Sequence, residues 1–404
     1  MWIRPRAASW ALALLVVGGG VSFLALRRPA HRDGQPFLPA SDGEVVETLP
    51  RAAGDPRAQE AKRLHRQLAV DARDVAAATR LARLEIEDSR TTSDPRHLGY
   101  AQAALMPWWS EPEPPPAVLV LRATIRQSRH DFPGALADLD KAAAAQPGNA
   151  QVWLTRAVVL SVLARYDEAA QSCAPLPALA SPLVYAVCQA GVKGVTGQAP
   201  QAAAALSRAL AVVPQEDPAR PWALSVLAEV TGWTGNLAEA ERLSRAALAL
   251  EPDDSYTRAQ LSDLLIDAGR DAEAAALLQG REQNDGLLLR LAIAETRAGT
   301  PAAAAHVREV GERFAAARLR GDRLHGREEA RFELVLRHDA GQALALARAN
   351  WEVQHEPADA LILLQAARAA QQAAAAAPAL AWARATGFQG PAVVLLAQQL
   401  GGEP

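Results

Sequence analysis

One spacing recurs six times along the chain. A small residue is followed twelve positions later by another in Ala123/Ala135, Ala157/Ala169, Ala190/Ala202, Ala228/Ala240, Ser262/Ala274 and Ala292/Ala304. Successive pairs start 34, 33, 38, 34 and 30 residues apart. A period of that length marks a repeat architecture, in which each unit buries its apolar face only by stacking on its neighbours. The spacing has a steric reason: two antiparallel helices cross closely only where side chains are small. The turn between them favours positive φ, and Gly197, Gly235, Gly269 and Gly299 stand there. Phe132, Tyr166 and Leu237 open second helices and are expected to pack across the turn. Pro147, Pro214 and Pro252 end second helices, because proline cannot continue the hydrogen-bond ladder. Ala142, Ala209 and Ala247, five residues before those prolines, leave room for the next unit.

Composition agrees with helices. Half of the 404 residues are hydrophobic but only 5% are aromatic, and alanine, the best helix former, dominates. No long Val/Ile/Thr run alternates with period two, which argues against a sandwich, a barrel or a doubly wound fold. Net charge is -3, and the basic residues are arginine apart from Lys62, Lys141 and Lys193. Arg4, Arg6, Arg27, Arg28 and Arg32 gather at the N-terminus, so the remainder is more acidic still. An acidic body is a poor electrostatic footprint for nucleic acid, and none is expected as partner.

Trp153, Ala157, Tyr166 and Ala169 carry a family pattern. On these positions and the repeat period, the chain resembles a tetratricopeptide-repeat (TPR) protein of the membrane-anchored bacterial type. The resemblance covers residues 116–305 and implies an all-α, right-handed solenoid of stacked helical hairpins that binds other proteins and is not an enzyme. There are departures. Arg122 stands where the first repeat usually has Leu. Repeat two lacks its closing proline and runs into Ala174-Pro-Leu-Pro-Ala178, so its second helix is expected to be short or kinked. Residues 215–219 are inserted, and part of a helix near Gly280 is missing.

The flanks read as degenerate repeats. Residues 57–115 hold a helix at 57–70, then a hairpin of 74–87 and 95–106 with a turn at 88–94. Pro112, Pro114, Pro115 and Pro116 then force an extended connection. Residues 306–404 hold the pairs 327–337 with 342–353 and 358–370 with 374–385, followed by a capping helix at 391–400.

At the other end, residues 1–6 are a short tail. Residues 7–26 carry no charge and, as a helix, would span about 30 Å, one bilayer core. They read as an anchor or uncleaved signal, since no small-x-small cleavage site follows; a cleaved signal and secretion is the alternative. Residues 27–56, rich in Pro, Gly and Asp, read as a flexible linker. Arginines on the two sides of the anchor are nearly balanced. The favoured topology is an inner-membrane single pass with a periplasmic body, a cytoplasmic body being the alternative.

No catalytic constellation emerges. No two of the eight histidines stand at i, i+4 on one helix, and H-E-x-x-H, G-x-S-x-G and Walker patterns are absent. Gly191, Gly194 and Gly197 follow no strand, so packing and capping explain them better than phosphate binding. No cofactor and no metal ligand is assigned. Cys173 and Cys188 fall on neighbouring helices and would pair in an oxidising compartment; two separate buried thiols is the favoured reading. Trp108 and Trp109 are expected to pack the N-terminal hairpin onto the array, and Trp153 to serve the core.

The TPR resemblance implies which residues of each first helix line the concave face. In repeat two these are Gln151, Leu154, Val158, Ser161 and Val162. Repeat four gives Trp222, Ser225, Glu229, Gly232 and Trp233, and repeat five gives Tyr256, Ala259, Asp263, Ile266 and Asp267. The partner-binding candidates are Trp222, Ser225, Glu229, Trp233, Tyr256, Asp263 and Asp267, an aromatic and acidic groove suited to a basic or amphipathic protein or peptide. Ordinary packing of the tryptophans is the competing reading. The Lys and Asn of the carboxylate-clamp subtype are missing there. The expected function is a membrane-tethered interaction adaptor in assembly or maturation of a cell-envelope complex. Alternatives are a self-associating scaffold and an apocytochrome-presenting subunit of a haem-ligation system.

Overall fold

The computed structural model describes residues 55–92, 96–320 and 326–401, together with residue 41. The expected anchor at 7–26 lies outside them, as does most of the linker. Among the described residues, no helix is long and apolar enough to cross a membrane.

The repeat period becomes a series of helical hairpins. The first pairs Pro116–Ser128 with Phe132–Ala145, the second Ala150–Val162 with Tyr166–Cys173, and the third Pro182–Lys193 with Ala199–Val212. The fourth pairs Arg220–Trp233 with Leu237–Leu250, the fifth Ser255–Asp267 with Asp271–Leu278, and the sixth Asp285–Ala298 with Ala303–Leu319. Two more follow, Gly326–Val335 with Ala340–Trp351 and Pro357–Ala369 with Ala377–Thr386, then a final helix Pro391–Gln399. Caps start many helices: Asp131 accepts from the Gly134 amide, Asn236 from Glu239 and Asp339 from Gln342.

Small-residue pairs mark the crossings in the first five hairpins, where both members are buried. The sixth departs from expectation, because Ala304 is exposed. Its second helix starts only at Ala303, after the Thr300-Pro301 turn, so Ala304 lies in the first turn and Val310 and Phe314 make the deep contacts instead. Leu237 likewise fails to pack across its turn and is exposed, whereas Phe132 is buried.

A second regularity runs further than the small pairs. Seven residues after each first-helix small position the backbone turns left-handed. Gly197, Gly235, Gly269 and Gly299 do so as expected, and so do His130 and Ala164. His338 and Gln371 do the same in hairpins seven and eight, counting from Arg331 and Leu364. All eight hairpins therefore keep one phase. A left-handed non-glycine residue is strained by about 1–2 kcal/mol, partly offset by the freedom that glycine adds to the unfolded chain. Replacing the exposed Gln371 by Gly should therefore stabilise the C-terminal hairpins by roughly 0.5–1 kcal/mol. Chemical denaturation checks this; an unchanged or lower midpoint contradicts the turn assignment.

The N-terminal flank differs in its boundaries. Helix Val75–Thr92 runs through the turn expected at 88–94, because nothing between Glu85 and Thr92 is a glycine or proline to stop it, and Arg96–Ala104 returns against it. Trp108 is buried in this unit as expected. Arg122, the departure in repeat one, is buried too: its guanidinium grips Asp138 and donates to the carbonyls of Trp108, Trp109 and Glu111.

Repeat two has the short second helix expected, ending at Cys173 ahead of the turn Leu176–Leu179. That early end lets the first helix of hairpin three approach, and Cys173 and Cys188 form a disulfide with Cα atoms 5.9 Å apart. The favoured reading of two separate thiols is corrected: the early helix end and the Leu176–Leu179 turn bring the helices within disulfide reach.

The C-terminal hairpins do not simply extend the stack. They fold back onto hairpins two to four. The backbone N–H of His355 donates to Val162 O at 2.8 Å, and Trp382 Nε1 donates to the Tyr166 hydroxyl at 2.9 Å. Gly197 and Gly387 meet so closely that a Cβ on Gly197 would lie 2.8 Å from the Gly387 carbonyl oxygen. One apolar cluster joins Val195 to Trp351, Leu363, Trp382, Phe388 and Leu396, with Tyr166 and Trp233 against its edge.

Candidate functional site

First helices of neighbouring hairpins form one row, the inner wall, with Pro182–Lys193 against Arg220–Trp233 and Ser255–Asp267 against Asp285–Ala298, and hydrogen bonds from Tyr256 and Thr257 joining the fourth hairpin to the fifth. At the fourth hairpin, Pro221 sits at the start of the helix and Asp217 caps the preceding turn by accepting from the Ala219 amide. Trp222 follows on the first turn and is 40% exposed. One helical face further on comes Glu229, and from the next hairpin Tyr256, 57% exposed, donates its hydroxyl to Glu229 Oε1 at 2.8 Å. Asp254 places Tyr256 by capping the start of its helix.

Charges from hairpins seven and eight act on this wall. Burial pushes the Glu229 carboxyl up to about 7, with the Tyr256 hydrogen bond and Arg327 pulling down and Glu356 repelling. Burial and the charges of Glu229 and Glu356 hold the Tyr256 phenol well above its usual range. Arg327 and Glu356 belong to the starts of hairpins seven and eight. Arg327 pairs with Glu328, Glu356 and Asp359 at 3.3, 2.9 and 3.3 Å. A cavity of about 280 Å³ opens beside them, lined by His130, Asn284, Gly286, Arg327, Glu328, Gln354 and Glu356.

The other expected residues divide. Ser225 is buried and accepts from Thr257 Oγ1 at 2.7 Å, so it joins hairpins four and five instead of lining a surface. Trp233 is half-buried, edge-on to Phe388 with ring centroids 5.6 Å apart, and covered by the C-terminal cluster. Asp263 is bound by Arg290 at 2.7 Å and Arg331 at 2.6 Å. Burial pushes its carboxyl up, but the two guanidiniums more than offset this and hold it below the usual carboxylate range. Asp267 is exposed, and burial of its carboxyl among neighbours and repulsion from Asp263 raise its pKa. Asp263 is thus neutralised from within, Asp267 stays exposed, and the aromatic end of the groove is Trp222, Glu229 and Tyr256.

Sequence reasoning missed Arg290, Arg327, Arg331 and Glu356. Arg331 had a signal, since it occupies the small-residue position of hairpin seven. One His–carboxylate cluster occurs among the described residues: Glu85, Asp88 and His97 bring one ligand atom each within 4.8 Å of one another. It is satisfied internally, with His97 Nδ1 2.6 Å from Glu85 and Asp88 paired to Arg57 at 2.7 Å.

Hairpins in one phase, stacked through an inner wall of first helices, define a TPR-like helical repeat protein. In fold, the chain is similar to yeast Tom70, at 14% identity and a TM-score of 0.41, over 85% of this chain and 62% of that one. It is also similar to a tetratricopeptide repeat protein from Parabacteroides merdae, at 16% identity and a TM-score of 0.36, over 70% and 98% of the two chains. A human IFIT1 dimer with PPP-AAAA is similar at 12% identity and a TM-score of 0.43, over 83% and 95%. The chain spans less than two thirds of Tom70, and these likenesses concern fold alone. No family model matches the chain, and no curated protein matches it.

Proposed function

We propose that this protein is a membrane-tethered, TPR-like adaptor that binds a basic, partly apolar segment of another protein, in assembly or maturation of a cell-envelope complex. One observation carries the reading: Trp222 stays 40% exposed, and two turns along the same face Tyr256, 57% exposed, bonds a carboxylate, Glu229, that has no paired cation within salt-bridge distance among the described residues. Exposed aromatics of this kind act as anchors worth more than about 1–2 kcal/mol each. A partner's Lys or Arg reaching Glu229 would bring its carboxyl back toward the ordinary range. Export of the body is supported by the Cys173–Cys188 bond, since disulfides persist in oxidising compartments. Tethering is supported by the length and apolarity of residues 7–26.

The test is site-specific photocrosslinking in intact cells. A photoreactive residue in place of Trp222 or Tyr256 should give a discrete protein adduct, and the same residue in place of Leu250, exposed on a second helix, should give none. Equal labelling from all three positions, or labelling from Leu250 alone, contradicts the assignment.

A further inference from the structure

We propose that hairpins seven and eight and the final helix form a clasp that closes the array onto hairpins two to four, and that protonation of His355 at the seam releases it. The inference is independent of the partner-binding reading.

The seam follows a legible strip. Five residues after the small position of hairpins two, three and four stand Val162, Val195 and Trp233, and each meets the C-terminal segment. In hairpins five and six the same position holds Asp267 and Arg297, and the apolar strip stops. The clasp therefore has a built seat three hairpins long.

His355 lies on this seat between helices Ala340–Trp351 and Pro357–Ala369. Its backbone donates to Val162 O at 2.8 Å, and the Tyr166 hydroxyl approaches its carbonyl oxygen at 3.4 Å. Its ring stands edge-on to Trp351, with centroids 4.8 Å apart. Nδ1 is buried and has no hydrogen-bond partner among the described residues. An imidazolium donates from both ring nitrogens, so charging the ring here leaves one N–H unsatisfied.

The surrounding charges are few. Burial lowers the His355 pKa, against Glu352 on its own turn and the Val162 carbonyl, which raise it. Across the seam, the Tyr166 phenol is pushed up to about 12 and stays neutral. Arg165 is turned to Glu168. On the next turn, Glu356 and Asp359 are held by Arg327. Asp359, raised to about 6 chiefly by burial, is bonded to Arg327, Asn350 and Gln354 within the clasp itself, so these partners stay with it when the seam opens.

The sign for His355 follows from linkage. Above its ordinary pKa the ring is neutral whether the clasp is open or closed. As pH falls below about 6.5, the open form takes up the proton first, so closure weakens progressively through the lowered pKa. Each unit between the open and closed pKa values favours opening by up to about tenfold.

Hydrogen exchange on the full chain at about pH 7.5 and about pH 5.5, corrected for intrinsic rates, tests this. In the wild type, peptides containing His355 and Phe388 should exchange several-fold faster at the lower pH, while hairpins one to six keep their protection. His355→Phe, neutral and able to pack on Trp351, should abolish the step, and His355→Gln should do so if the Phe variant does not fold. Trp382→Phe, which removes the donor to Tyr166, should speed exchange at both pH values and keep the step. The proposal is overturned if wild-type seam peptides do not respond, if the step persists in the His355 variants, or if hairpins one to six lose protection together with the clasp.

Discussion

Asp138→Ala should destabilise the protein by about 3–5 kcal/mol, the cost of removing one partner of a buried ion pair. Asp138 and Arg122 are both nearly inaccessible to water, and two parallel bonds of 2.8 and 2.6 Å join them. Arg126 adds a third bond to the same carboxylate at 2.9 Å. Arg126 is partly exposed and can turn to solvent; Arg122 cannot. Its remaining donor is committed to the carbonyls of Trp108, Trp109 and Glu111 at 2.9, 2.8 and 3.0 Å. Loss of the carboxylate therefore leaves an uncompensated charge where the N-terminal flank joins the array. Loosening should concentrate in residues 75–128, because coupling in a solenoid falls mainly on neighbours. Denaturation with hydrogen exchange measures both, and a loss below about 1 kcal/mol would mean that the pair is not desolvated in solution.

Trp233→Ala should cost a similar amount, about 3–5 kcal/mol, as a large side chain removed from packed surroundings. The indole fills the space over Gly194, where a Cβ would come within 2.7 Å of the ring, and meets Phe388 on the other side. It therefore bonds hairpin three, hairpin four and the clasp at one point. Seam peptides from Ala377–Thr386 and Pro391–Gln399 should lose protection first. Trp222→Ala, at an exposed position of the same helix, should stay within about 0.5–1 kcal/mol of wild type. If Trp233→Ala melts like the wild type, the clasp does not rest on this ring.

These two residues show where sequence was legible and where it was not. The small–twelve–small pairs place the crossings of five hairpins because close helix contact leaves little choice of side chain. The sixth fails because a Thr-Pro turn delays its second helix, which shifts the contact without altering the residue pattern. Left-handed turns were legible where glycine fills them and hidden at His130, Ala164, His338 and Gln371, where the helix-ending hydrogen bond from the next residue's N–H, such as Gln372 to Ala367 O, holds other residues in the same backbone. Trp222 and Trp233 look equivalent on a concave stripe. They differ only because a segment about 150 residues downstream covers one of them, a long-range fact that local periodicity does not contain. The charge partners of Asp263 were hidden for the same reason: Arg331 is 68 residues away. The disulfide depended on how closely the short helix ending at Cys173 lets two helices approach.

The central claim is that Trp222, Glu229 and Tyr256 form the open part of the inner wall and hold the partner. The most direct measurement takes one purified protein carrying Trp222→Ala and Tyr256→Ala, recovered from the cells that express it, and records melting temperature and partner retention together. An unchanged melting temperature with the partner lost is the expected result. An unchanged melting temperature with the partner fully retained would remove this wall as the binding site.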